Sequence, residues 1–392
     1  MSATLERSQV LRTWRAVTSA FLINGFIVGS FVTRIPDFKR TLNLSNSALG
    51  TALFCVALGV VGVLGIAGRA TAKYGSSKIV FYTTLLAAIT LPVVGYSPNF
   101  VLLCGSLFLY GAFLAAQDVA MNTHAITLEH LSGNRYMSKF HGFFSLGALA
   151  GGFVGGLFAQ ASVSPLIQEL WIAAGVLVIT FVFKSSWLPA STDQSKPQEG
   201  KRKRRPGIIW LIGLLGLCAA IGEGAAADWG AILARDTFSA SPFVSTIPYL
   251  AFSITMVLGR FSGDFLAHKF GSKVLITGGG AIAGVGMVSG LLVGDIGGIV
   301  FGWLASGIGL SIVIPMLFSE AGVIAKNKFD GQYSSAQAVA TVSGIAYFGF
   351  LIGPPVIGFL ADHLTLRWAM LLPGSLALVM AAISASIFRS NK

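Results

Sequence analysis

The chain reads as long apolar runs separated by short polar breaks. A helix needs about 20 apolar residues to cross roughly 30 Å of hydrocarbon, because only a helix satisfies its own backbone there. Twelve runs bounded by charges or by Pro and Asn turns reach that length, near residues 14–33, 47–67, 79–96, 100–127, 139–160, 168–188, 207–233, 243–266, 274–293, 297–325, 334–360 and 368–389. The pattern predicts an all-α integral membrane protein with 12 transmembrane helices, the fourth and tenth runs extending past the bilayer. The first run lacks a small-residue cleavage pattern after it and is expected to stay as an anchor helix.

Composition agrees with this reading. Only 11% of the 392 residues are charged and 54% are hydrophobic, against about 25% charged in a soluble domain. Too few charges remain to coat a water-facing surface, which excludes a soluble globular enzyme. The 27 Lys and Arg outnumber the 15 Asp and Glu. With the N-terminus inside, the outer loops hold only Arg34, Lys39, Arg40, Arg235 and Arg367 of those 27. Basic residues collect on the cytoplasmic side of membrane proteins, so a multi-pass protein of the cell inner membrane with both termini cytoplasmic is expected. The basic excess is thus assigned to topology and not to nucleic acid. Cys55, Cys104 and Cys218 lie in apolar runs without metal-ligand spacing, so neither a disulfide framework nor a zinc site is implied.

The hydrophilic stretch around Lys201-Arg202-Lys203-Arg204-Arg205 divides the chain. The expected organisation is a six-helix half over 1–190, a cytoplasmic basic linker over 191–206 and a second six-helix half over 207–392. The linker is either a solvated topology device or a contact for anionic membrane lipids. An internal repeat supports the division. Gly147, Gly151, Val154 and Gly156 recur 202 residues later as Gly349, Gly353, Val356 and Gly358. Lys73-Tyr74-Gly75-Ser76 matches Lys269-Phe270-Gly271-Ser272, and Asn24-Gly25 falls on Glu223-Gly224. Offsets near half the chain length imply two copies of one six-helix unit related by pseudo-twofold symmetry.

Two parallel six-span halves on a cytoplasmic linker are one way to build an alternating-access transporter. Here the chain resembles the major facilitator superfamily. In the loop after the second run, Gly68, Lys73, Gly75 and Lys78 keep the outline of that family's motif, but Ala72 stands where the motif has aspartate. The family's inner charge lock is therefore not expected from this loop, and Arg69, Lys73, and Arg260 with Asp264 are candidates to gate instead. Further runs resemble the MosC/YbjJ-like branch of permeases: Arg34-Ile35-Pro36, Asp118-Val119-Ala120-Met121-Asn122, His141-Gly142-Phe143-Phe144-Ser145-Leu146-Gly147, Glu223-Gly224 through Asp228-Trp229, Gly259-Arg260-Phe261 and Gly353-Pro354-Pro355.

An ionisable side chain at membrane depth costs about 2.5–3.5 kcal/mol on insertion scales, so each one inside a run is a functional candidate. Asp118 and Asn122 are four apart and share a helix face. Glu223 lies near the middle of the seventh run, and Asn24 is its repeat counterpart. These four residues are expected to line a central cavity and bind substrate, with Glu223, Asp118 and His141 as proton-coupling candidates. The competing reading for Asp118 is a structural bond to a neighbouring helix, and for His141 a backbone bond in glycine packing. Glu223 and Asp228 are five residues and about 140° apart on a regular helix, so either one faces elsewhere or the glycines at 222 and 224 break the helix. Asp228 and Trp229 form an outer gate or an interfacial anchor. His124 reads as a solvated histidine at the inner interface, and Arg34 as a rim arginine.

The expected function is secondary active transport of a small polar metabolite, hydroxylated or amino-bearing, coupled to protons or else to sodium. No cofactor is implied, since Gly278-Gly279-Gly280 lacks the rest of a phosphate-binding loop. The alternative is a proton-driven exporter of drug-like amphipathic compounds. An intramembrane enzyme, a channel and a non-transporting sensor are remoter readings. A monomer is expected.

Overall fold

In a computed structural model of the chain, residues 6–194, 206–328 and 335–387 are described, apart from the side chains of 138, 264, 328, 335 and 336. Among them are 12 helices long and apolar enough to cross a membrane: Arg7–Thr41, Asn46–Tyr74, Ser76–Tyr96, Phe100–Ser132, Lys139–Gln160, Pro165–Val182, Gly207–Thr237, Val244–Gly263, Phe265–Val293, Ile296–Asn327, Gln337–His363 and Leu366–Ile387. They are called spans one to twelve. Each predicted run falls on one of them. The basic run 201–205 and Ser195 lie outside the described residues.

Differences from the sequence reading have local causes. Span six stops at Val182, short of the predicted 188, and the chain continues through single turns at Lys184–Ser186 and Ala190–Thr192. The helix closes at Phe183, whose N–H bonds back to Ile179 O, and the backbone is already extended at Trp187. Spans eight and nine belong to one long run, Ile247–Val293, that turns at Gly271. Span seven does not break at its glycines. It is regular from Gly207 to Ile232 and only then widens into a π-turn over Leu233–Thr237.

The chain forms two compact units. One comprises Met1–Asn43 with Thr51–Glu199, the other Leu44–Gly50 with Gly200–Lys392. Within the first, span one lies on span five so closely that a Cβ at Gly25 or Gly29 would meet the carbonyls of Phe144 or Ala148, and one at Gly147 or Gly151 those of Leu22 or Phe26. Span two approaches span four in the same way through Gly59 and Gly111, and span three meets span six at Gly95. The second unit repeats this order of neighbours. Gly349 of span eleven lies on Leu217 of span seven, Gly307 of span ten on Phe252 of span eight, and Gly280 of span nine on Ala377 of span twelve. Small residues let helices touch backbone to backbone, which is how packing is gained where lipid offers no hydrophobic drive between helices. The repeat read from glycine spacing is therefore a repeat of helix contacts.

Each unit has its own core. Val17, Phe21, Val80, Met121, Leu128 and Phe140 form that of the first. Ile212, Leu215, Leu310, Leu317, Val342 and Met380 form that of the second. The large apolar side chains left outside, such as Val101, Trp171, Val178 and Phe265, suit contact with lipid tails.

Candidate functional site

In the second unit the unbroken span seven carries both Glu223 and Asp228, so the helix wheel keeps them on different sides. Glu223 meets Arg260 of span eight, Oε2 to Nη2 3.5 Å, with the two side chains 13% and 28% exposed. Arg260 is thus brought to a carboxylate one helix away. The side chain of Asp264, its predicted gating companion, lies outside the described residues. Asp228 is half-buried, and its carboxyl lies on the side of span seven that carries Gly224. Trp229 is fully buried against Gly358 of span eleven. The interfacial-anchor reading of Trp229 is corrected by this burial, since an anchor keeps its polar edge at the membrane surface.

In the first unit Asn24 is buried and spends its amide donors inside the bundle, Nδ2 to Leu114 O 3.3 Å and to Gln117 Oε1 2.9 Å. Gln117 passes the chain on to Thr84 Oγ1 at 2.9 Å, and Thr84 donates to Val80 O at 2.6 Å. This neutral network ties spans one, three and four together. Its polar groups satisfy one another, as buried polar groups must. Asp118 and Asn122 share a face as the i, i+4 spacing requires: Asn122 Nδ2 donates to Asp118 Oδ1 at 3.0 Å and to Asp118 O at 2.8 Å. Both side chains are half-buried. His141 is exposed, with the ring of Phe21 edge-on at 5.3 Å.

Two sequence readings are corrected here. His124 is not solvated: it is 1% exposed. Leu188 N donates to its Nε2 at 3.3 Å, which leaves the ring proton on Nδ1, 2.6 Å from Ser76 Oγ. The Ser76 hydroxyl therefore donates onward to Asp193, whose other oxygen accepts from Ser76 N at 3.1 Å. The edge of Trp187 closes the site at 4.8 Å. A serine whose proton already belongs to a carboxylate, beside a histidine that acts as donor, is a structural clamp and not a nucleophile. The clamp fixes the segment after span six onto the loop that opens span three. The carboxylate missing at Ala72 is supplied to that loop by Asp193, which no motif spacing marks in the sequence. Of the predicted gating residues nearby, Arg69 donates to Gly65 O of its own helix at 3.1 Å, and Lys73 lies over the Tyr74 ring at 4.9 Å.

Arg34 is not a rim arginine. It is 2% exposed, paired through Nε with Asp37 at 2.9 Å and donating from Nη2 to Val163 O at 2.5 Å. The turn at Thr33 and Arg34 within span one is thereby held to the turn before span six.

Comparison with known proteins agrees with this architecture. The transporter y4wD of Sinorhizobium fredii is 28% identical over 383 residues, 96% of this chain and 98% of that protein. Membrane protein MosC of Rhizobium meliloti is 28% identical over 376 residues, 95% and 89% of the two chains. The crystal structure of the nucleoside transporter NupG superposes with a TM-score of 0.73 at 14% identity, covering 97% of this chain and 99% of that one, which shows a shared fold. The family model for the Major Facilitator Superfamily matches residues 17–338. The chain is a multi-pass membrane protein and belongs to that superfamily of transporters.

Proposed function

We propose that this transporter carries a small polar solute, hydroxylated or amino-bearing, by alternating access, and that proton exchange at Glu223 drives it. The observation that carries this reading is the ion pair of Glu223 and Arg260 within apolar spans. A charge pair taken out of water repays its desolvation only with good geometry and further hydrogen bonds. At 3.5 Å and partly exposed, this pair is loosely made, so a proton on Glu223 or a cationic group of the solute can replace Arg260. The repeat counterpart of Glu223, Asn24, has spent both donors in a neutral buried network. That asymmetry concentrates the coupling chemistry in the second unit. In the first, Asp118 and Asn122 are the polar pair offered to the solute, and Asn24 retains only its carbonyl oxygen for that role.

The termini are proposed to be cytoplasmic and the protein a monomer. A cysteine placed at Asn99, exposed at the start of span four, should react with an impermeant label from outside, and one at Ser195 should not. The reverse pattern overturns the orientation.

Function is tested in two steps. A thermal-shift screen of hydroxylated and amino-bearing metabolites finds the solute, since a ligand at 100 times its dissociation constant adds about 2.7 kcal/mol to native stability. Glu223→Gln then keeps the shape of the protonated carboxyl. It should retain binding and solute exchange while abolishing proton-driven accumulation, with Asp118→Asn doing less. Accumulation by the Gln variant with unchanged pH dependence would remove Glu223 as the coupling site. Accumulation driven by a sodium gradient in place of a proton gradient would replace the coupling ion.

A further inference from the structure

A further buried carboxyl, not among the candidates above, lies in the first unit. Span six opens at Pro165 with Ser164 as its cap, and its first turn carries Gln168, fully buried, and Glu169, 2% exposed. Gln168 Nε2 donates to Ser30 O of span one at 3.4 Å and to Glu169 Oε1 at 3.2 Å. Glu169 Oε2 and Gln168 Oε1 are both buried without a hydrogen-bond partner. These are two neighbouring acceptors, and neither has a donor.

The charges around Glu169 are few. Arg34 is the cation near enough to act on it, but its guanidinium is engaged with Asp37 and the Val163 carbonyl. Tyr110 of span four gives its hydroxyl to Ile27 O at 3.4 Å. Span five has no titratable residue beyond Lys139 and His141, both near its opposite end. Span three brings only Tyr96 to this end, and that side chain is exposed. An ionised Glu169 would therefore be a buried charge with one neutral amide as its hydrogen-bond donor and, beyond that, only the field of a cation already paired with Asp37, an unfavourable arrangement for a desolvated carboxylate. One proton removes the charge and supplies the donor that the two orphan acceptors lack.

From this geometry we infer that Glu169 is a proton-binding site, neutral while Arg34 is paired with Asp37. Arg34 has two carboxylates within its field and satisfies one of them. When it turns from Asp37 to Glu169, the proton on Oε2 leaves to water and Asp37, already partly exposed, is hydrated. The contact between the Arg34 turn of span one and the first turn of span six is thus a proton-linked exchange of ion-pair partners. This inference does not depend on Glu223 as the coupling residue.

The test is infrared difference spectroscopy of the full-length protein in lipid nanodiscs, read at the carbonyl band of protonated carboxyl groups as buffer is taken from neutral to alkaline. Part of the wild-type band should be absent from Glu169→Gln and present in Glu223→Gln and Asp118→Asn. Asp37→Asn, which keeps Glu169 in place but removes its competitor, should lose the same component already at neutral pH. Glu169→Gln should melt like the wild type, because a neutral amide replaces a neutral acid. A Glu169→Gln spectrum identical to wild type, or an Asp37→Asn spectrum that keeps the component, overturns the inference. If Glu169→Gln does not fold, the Asp37→Asn result alone decides. Loss of accumulation in Glu223→Gln with this band intact would leave the two sites separate.

Discussion

The loops Lys73-Tyr74-Gly75-Ser76 and Lys269-Phe270-Gly271-Ser272 are near copies in sequence and in backbone. Gly75 has φ 86° and Gly271 φ 73°, both with extended ψ, a region essentially closed to residues with a Cβ. In each loop a lysine lies over the following ring, Lys73 at 4.9 Å and Lys269 at 5.2 Å. Their surroundings differ. Where a side chain on Gly75 would go stands the carbonyl of Ala190, and Ser76 is buried under Asp193 and His124. The space beside Gly271 is open among the described residues. The motif fixes the turn, and a distant segment decides whether the turn is clamped. One loop is therefore built as a fixed joint of its unit, while its twin, among the described residues, keeps the bend without such a clamp.

This contrast is easiest to break at the glycines. Alanine at Gly271 should cost only the backbone strain, about 1–3 kcal/mol. Alanine at Gly75 adds the collision with Ala190, about 1–3 kcal/mol more for an overpacked site. Gly75→Ala should therefore lower the melting temperature of the purified protein well below that of Gly271→Ala. Equal losses would mean that the segment at 190 does not bear on the loop.

Removing the carboxylate is the next test. Asp193→Ala deletes hydrogen bonds from the amide and hydroxyl of Ser76, and bonds to charged groups are worth about 1.5–3 kcal/mol each. Ser272→Ala in the open loop should change stability by no more than about 0.5 kcal/mol, as for surface positions generally. Thermal unfolding of the two variants measures the difference, which should vanish if Asp193 is solvated.

His124→Leu should have a smaller effect, about 1–3 kcal/mol, from leaving the Leu188 amide and the Ser76 hydroxyl without their buried partner. Its sharper readout is local. Hydrogen exchange at Leu188 should quicken strongly while that at Ser272 stays as it was. Unchanged exchange at Leu188 would break the link between His124 and the segment after span six.

Twelve spans were legible because hydrocarbon imposes one requirement on every crossing, a long apolar run that bonds its own backbone. The two-copy architecture was legible from Gly147, Gly151, Gly349 and Gly353, since close helix contact needs small residues at fixed spacing. The Asp118 and Asn122 pair followed from four-residue spacing alone. What tertiary structure decided is the partner of each polar group. Arg34 and His124 are compatible in sequence with a wet rim, and burial came from segments 129 and 64 residues away. Asn24 and Glu223 occupy matching repeat positions, but one is sealed by Gln117 and the other faces Arg260. Glu169 carried no signal, as a carboxylate at the start of a span ordinarily meets water or a helix N-terminus. Periodicity is written along the chain, whereas hydrogen-bond partners and desolvation depend on which surfaces meet, and those are set only when the helices pack.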